Sequence, residues 1–174
     1  MDGEGGYMPE NKTLDILKGA ILLEHRGKAL YDSVVRITEA EAVRTLFEFL
    51  ANEEVEHISI LENQYRKVTH NLKIEPPDSG KMDLLSGHPV LTEKIVSEIS
   101  GAGYEASVIA AALEFEKKAV SYYSEYAASA TDESEKKLYE WLAKWETSHM
   151  SLLAELDREI REQVWHDNSF WPLD

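Results

Sequence analysis

The feature that most limits what this chain can fold into is that it contains one pattern twice. Shifting the 174-residue sequence by 92 positions lays LFEFLANEEVEHISIL (46–61) over LYEWLAKWETSHMSLL (138–153). Leu46, Glu48, Leu50, Ala51, Glu54, His57, Ser59 and Leu61 recur as Leu138, Glu140, Leu142, Ala143, Glu146, His149, Ser151 and Leu153. The same shift places EHRGKALY (24–31) over EKKAVSYY (116–123), so Glu24 and Tyr31 match Glu116 and Tyr123. One offset serving two separated segments is a duplication rather than a stray match.

The repeated unit is a pair of helices. Leu14, Leu17, Ile21 and Leu22, then Tyr31, Val34 and Val35, recur with helical period from Lys12 to Ile37 without a proline. Thr38 with Glu41 spells a capping box and opens a second helix, which carries Val43, Leu46, Phe47, Leu50, Ile58 and Leu61 and fades near Asn71. Residues 104–129, rich in alanine and aromatics, form a third helix. Asp132 with Glu135 is another capping box, opening a fourth helix that lasts to about Val164. Alternating β-branched runs bounded by turns are absent, so the chain reads as all-α. Its length suits one domain, spanning 1–174, with a short N-terminal tail (1–11) and an aromatic C-terminal tail (164–174). Trp165, Phe170 and Trp171 in that tail are expected to pack on the bundle or on a neighbouring subunit.

Between the second and third helices lies IEPPDSGKMDLLSGHPVLTEKIVSEISGAG, where one short helix is expected within 91–100 and the rest irregular. So long a connection needs a reason. Helices of about 26 residues are about 40 Å long, and a link returning along that length needs about this many residues. Two tight hairpins joined by a long crossover is the connectivity of a ferritin-like four-helix bundle.

The duplication also sets the level of the polar residues. In an antiparallel hairpin, residues equidistant from the turn lie side by side. Glu24 and Glu54 are centred on residue 39, and Glu116 and Glu146 on residue 131. Within Glu54-x-x-His57 and Glu146-x-x-His149, both side chains share one helix face, because positions three apart are neighbours about 5–6 Å apart. Pairing the hairpins therefore gathers four carboxylates and two imidazoles at mid-height. Glu53 and Glu56 do not keep their chemistry in the second copy, where Trp145 and Ser148 stand, and read as solvated charges or neighbours of the ligands.

Four carboxylates held away from water repel one another and are costly to desolvate. Two divalent cations offset that charge, while neutral imidazoles add nitrogen ligands without adding more. Carboxylate with imidazole suits iron or manganese, and zinc can occupy the same ligands. Net charge sharpens the reading. At −15 the chain repels phosphates and anionic membranes, so neither nucleic acid nor membrane is an expected partner. With no cysteine there is no disulfide, iron–sulfur cluster or thiolate zinc site. Neither a signal peptide nor a membrane span is legible, and a cytoplasmic protein is expected.

On these motifs, E-x6-Y (Glu24 with Tyr31, Glu116 with Tyr123) and LA-x2-E-x2-H (Glu54 with His57, Glu146 with His149), the chain resembles the rubrerythrin-like branch of the ferritin-like di-iron superfamily over roughly residues 12–160. The resemblance implies that Glu54 and Glu146 bridge two metal ions. Glu24 and Glu116 would be terminal carboxylates, His57 and His149 would each cap one ion, and Tyr31 and Tyr123 would hydrogen-bond ligand carboxylates. It also marks departures. Typical relatives have an extra glutamate where Ala119 stands, and carry a rubredoxin-type domain with paired cysteines that this chain lacks. The methionine that binds haem in bacterioferritins is here Val55, so no haem is expected. His25, His70 and His88 are expected to face solvent or be structural.

The implied activity is an oxidoreductase in which a reduced iron pair reduces peroxide or dioxygen and is re-reduced by a separate electron donor. The alternative is a ferroxidase or iron-storage role. A homo-oligomer, with a dimer favoured, is the expected assembly.

Overall fold

A computed structural model describes residues 12–77, 95–99 and 103–166. Four long helices make up most of it: α1 (Lys12–Ile37), α2 (Glu41–Thr69), α3 (Tyr104–Ser129) and α4 (Glu133–His166). No strand occurs among the described residues. Helix α1 packs with α2 and α3 with α4, as two hairpins, and the hairpins meet through α1 and α3. The chain is an all-α bundle of the ferritin-like kind. None of its described helices is long and apolar enough to cross a membrane.

Two helix ends follow local chemistry and one follows tertiary chemistry. At α4, Asp132 Oδ1 accepts from the N–H groups of Ser134 and Glu135, at 2.8 and 3.0 Å. Glu135 does not return the bond expected of a capping box; its carboxylate accepts from the Thr13 hydroxyl at the start of α1 instead. Helix α2 ends because Asn71 takes a left-handed φ of 56°, which asparagine tolerates, and Leu72 N–H closes on the Lys67 carbonyl. The capping box expected at Thr38 is not formed. Residue 40 is the N-cap and has no side-chain cap, while Thr38 donates to Glu105 at the start of α3. A carboxylate from the crossover takes over: Glu98 Oε2 accepts from the Ala42 N–H at 2.9 Å.

That contact shows how the crossover is anchored. Leaving α2, the chain doubles back and Gln64 holds both backbone groups of Glu75, donating to its carbonyl and accepting from its N–H. At the far end a helical turn at 95–98 buries Ile95 and Ile99 beside Val43 and Ile109. The connection therefore begins at the C-terminal end of α2 and finishes near its N-terminus, one helix length away. The turn at 95–98 falls within the expected 91–100. Residues 1–11, 78–94, 100–102 and 167–174 lie outside the described residues, and with them His88, Phe170, Trp171 and most of both tails.

The core is split in two. One apolar cluster includes Tyr31, Phe47, Leu50, Leu113 and Leu153; the other includes Ala20, Leu61, Ala119, Leu142 and Trp145. On every helix the six polar residues of the repeat fall between these positions. Apolar packing thus closes both ends of a buried polar layer.

Candidate metal centre

Glu24 comes from α1, Glu54 and His57 from α2, Glu116 from α3, and Glu146 and His149 from α4, and all six are buried. Their ligand atoms form two groups. Glu24, Glu54, His57 and Glu146 offer atoms within 4.8 Å of one another, and so do Glu54, Glu116, Glu146 and His149. Glu54 and Glu146 belong to both groups, whereas each remaining glutamate and each histidine belongs to one. Two carboxylates are thus shared between the groups and two belong to one group each.

Both histidines turn Nδ1 toward the carboxylates. His57 Nδ1 lies 3.2 Å from Glu24, 3.5 Å from Glu54 and 2.9 Å from Glu146. His149 Nδ1 lies 3.5 Å from Glu116 and 3.4 Å from Glu146. The rings stack across the centre with centroids 5.9 Å apart. Each Nε2 lies on the opposite side of its ring from these four carboxylates, and that of His149 is 4.0 Å from Glu53 Oε2.

Crowding of like charge is plain in the proton affinities. Burial and neighbouring carboxylates raise Glu54 well above the usual range and push Glu116 up to about 7. Burial would raise Glu146 as well, but the imidazoles of His57 and His149 hold it low. Burial disfavours imidazolium, yet the surrounding carboxylates lift His57 well above its ordinary value and His149 to about 9. Without metal, the cluster holds protons in place of cations.

Even so, it is not satisfied. Both carboxylate oxygens of Glu54 and of Glu146, Oε2 of Glu116, Nε2 of His57 and both ring nitrogens of His149 are buried with no hydrogen-bond partner. Native interiors leave few such atoms, and charged ones are the most costly. Divalent cations fit the carboxylate oxygens and the inward-facing His149 Nδ1 of this set, because they offset the charge and occupy those orphaned lone pairs together.

The tyrosines bond across the hairpins. Tyr31, on α1, donates to Glu116 on α3, and Tyr123, on α3, donates to Glu24 on α1. Each therefore serves the other hairpin's glutamate rather than its own. Burial and adjacent carboxylates raise both phenols well above their ordinary value, so they stay protonated as donors.

Two neighbours bear on the centre: Glu53, for which sequence left a solvated reading beside one as a neighbour of the ligands, and Gly27, which sequence missed. Glu53 is only 7% exposed, so the solvated reading fails for it. Its Oε2 accepts from the Trp145 indole N–H at 3.0 Å and lies 4.0 Å from His149 Nε2. Gly27 is the other. A Cβ there would lie 2.9 Å from Glu54 Oε1 and 2.8 Å from Phe115. The available signal was a helical glycine three positions after Glu24, on the same face. His25 and His70 are exposed, as expected, and His70 Nδ1 sits 2.7 Å from the Arg66 carbonyl. Trp165 is 70% exposed on the last turn of α4.

A family model described as Rubrerythrin matches residues 15–156, well over half of the chain. No curated protein and no solved structure matches it.

Proposed function

Since the chain belongs to the rubrerythrin family, we propose that Glu24, Glu54, His57, Glu116, Glu146 and His149 hold two iron ions in an oxidoreductase that reduces peroxide or dioxygen. Manganese or zinc fits the same donors. The observation that carries the reading is the pair of ligand groups sharing Glu54 and Glu146, with their orphaned atoms. When bound, a pair of irons supplies two electrons side by side, which suits cleavage of an O–O bond.

The chain's own residues set the conditions for that chemistry. Glu54 and Glu146 span both positions, and Glu24 and Glu116 each serve one. Tyr31 and Tyr123 fix the rotation of those outer carboxylates by donating to one oxygen of each, while the other oxygen of Glu116 has no partner and that of Glu24 meets His57 Nδ1 at 3.2 Å. Burial of all six ligands keeps bulk water from competing. Without cysteine, the chain has no thiolate redox centre, so electrons come from a separate donor. We place the protein in the cytoplasm as a homodimer.

Metal quantification and a peroxide-reductase assay with a supplied donor test this together. Wild type should carry two ions per chain and turn over peroxide faster than free iron, and a Glu54→Ala, Glu146→Ala variant should do neither. Equal metal content in the variant would overturn the site. Metal bound without turnover would overturn the activity, and iron taken up far beyond two ions per chain would indicate storage.

A further inference from the structure

Glu53 and Trp145 occupy the same position of the repeat, 92 residues apart, and touch each other. Equivalent residues of a duplicated fold meet only where the pseudo-twofold axis passes between them. The axis therefore runs through this hydrogen bond, and the two copies place unlike side chains on it. The neighbours are matched in position and opposite in chemistry. Glu53 Oε2 lies 4.0 Å from His149 Nε2, whereas the Trp145 ring meets the His57 ring edge-on at 4.8 Å between centroids. Neither Nε2 has a hydrogen-bond partner, so the difference lies in what stands beside each ring, and Trp141 adds a second indole beside His57, 6.4 Å away.

On the reading that the cluster holds two ions, we infer that this one unlike pair makes the two halves of the centre unequal, with Glu53 a positioning residue for His149. An imidazole that binds a metal through Nδ1 carries its proton on Nε2. A carboxylate facing that N–H fixes the tautomer and ring angle and makes the ligand more basic. His149 has a carboxylate oxygen 4.0 Å from its Nε2, within reach of charge attraction though not hydrogen-bonded, and His57 has an indole edge. The Trp145 N–H holds Glu53 in place, so the residue that denies His57 a carboxylate also orients the one given to His149. The half built on Glu116 and His149 therefore binds its ion more tightly than the half built on Glu24 and His57.

The test is a cobalt(II) titration of the full chain stripped of metal, followed by calorimetry and by proton NMR of the paramagnetically shifted imidazole N–H signals. Shared carboxylates make a second ion weaker in any such centre, so stepwise binding alone decides nothing. The deciding reading is which histidine is ligated at one equivalent. In wild type one imidazole signal should dominate, and Glu53→Gln should bring both up together by weakening the tighter half about 10–100-fold. The glutamine keeps an oxygen for the Trp145 N–H, so the fold is retained, which circular dichroism checks. Trp145→Phe, which keeps the Glu53 carboxylate but removes the N–H that orients it, should reduce the inequality less than Glu53→Gln does. Two signals of equal strength in wild type, or equal weakening of both steps in Glu53→Gln, overturns the inference while leaving the two-ion reading intact. Failure to bind cobalt overturns both.

Discussion

Replacing Gly27 by alanine should reverse the usual sign of a glycine-to-alanine change in a helix. In an open helical position alanine is favoured by about 1 kcal/mol. At position 27 the new methyl would lie 2.9 Å from Glu54 Oε1 and 2.8 Å from Phe115 Cε1, where ordinary contact begins at 3.4 Å. Phe115 is half-buried and its ring can tilt, but Glu54 is enclosed. Overpacking of this kind costs about 1–3 kcal/mol, so the net effect is destabilisation of roughly 0–2 kcal/mol. For a chain of this size that is a fall in Tm of up to about 6 °C. The larger consequence is for the ligand. Restoring contact moves the Glu54 carboxylate by about 0.5 Å, beyond the ~0.2 Å that metal–ligand distances tolerate. Because Glu54 belongs to both ligand groups, affinity for both ions should fall by on the order of tenfold or more. The repeat supplies the control. Ala119 is the position-27 equivalent, and Ala119→Gly should cost about 1 kcal/mol by helix propensity and leave metal affinity unchanged. Thermal unfolding by circular dichroism with and without metal, plus competitive metal titration, reads all of this. A Gly27→Ala variant that melts higher than wild type and binds metal equally well would refute the reasoning.

Other expectations follow from the same contacts. Tyr31→Phe and Tyr123→Phe should each cost roughly 1.5–3 kcal/mol in urea unfolding of the metal-free protein, because each removes a donor to a buried carboxylate. Asp132→Ala should cost about 1 kcal/mol through loss of the α4 cap, without altering metal affinity. The metal-free protein should lose stability as pH rises. Glu116, raised from 4.5 to about 7, and His149, raised from 6.5 to about 9, bind protons more tightly folded than unfolded. Their contribution is complete below the unfolded values and gone above the folded ones, so Tm should fall between about pH 5 and pH 9. Over the same range metal affinity should rise, because the ions must displace those protons; a metal-free Tm that climbs across this window would contradict the assignment.

The helix ends and the six clustered residues were legible because they depend on short-range spacing and on the 92-residue offset. Lys12, Ile37, Tyr104 and Ser129 are bounded by periodicity and breakers that act locally. What stayed hidden depends on neighbours distant in sequence. Thr38 has the spelling of a cap, but Glu98 reaches the Ala42 N–H and Glu105 takes the Thr38 hydroxyl. Tyr31 and Tyr123 donate to Glu116 and Glu24, and spacing along one helix cannot tell which hairpin supplies the acceptor. Sequence could not choose between a solvated Glu53 and one beside the ligands, because its burial is created by Trp145, 92 residues away.

The contact between Glu53 and Trp145 also bears on why one chain carries both hairpins. Two identical hairpins assembling as a homodimer would supply every ligand of the centre, since each carries one of each kind. In such a dimer, however, any residue on the symmetry axis faces its own copy. A glutamate there would meet a glutamate, buried and repelling, and a tryptophan would meet a tryptophan with no acceptor for either N–H. Only after the two genes are joined can a donor be set against an acceptor on the axis, and mutation in one half proceed without being imposed on the other.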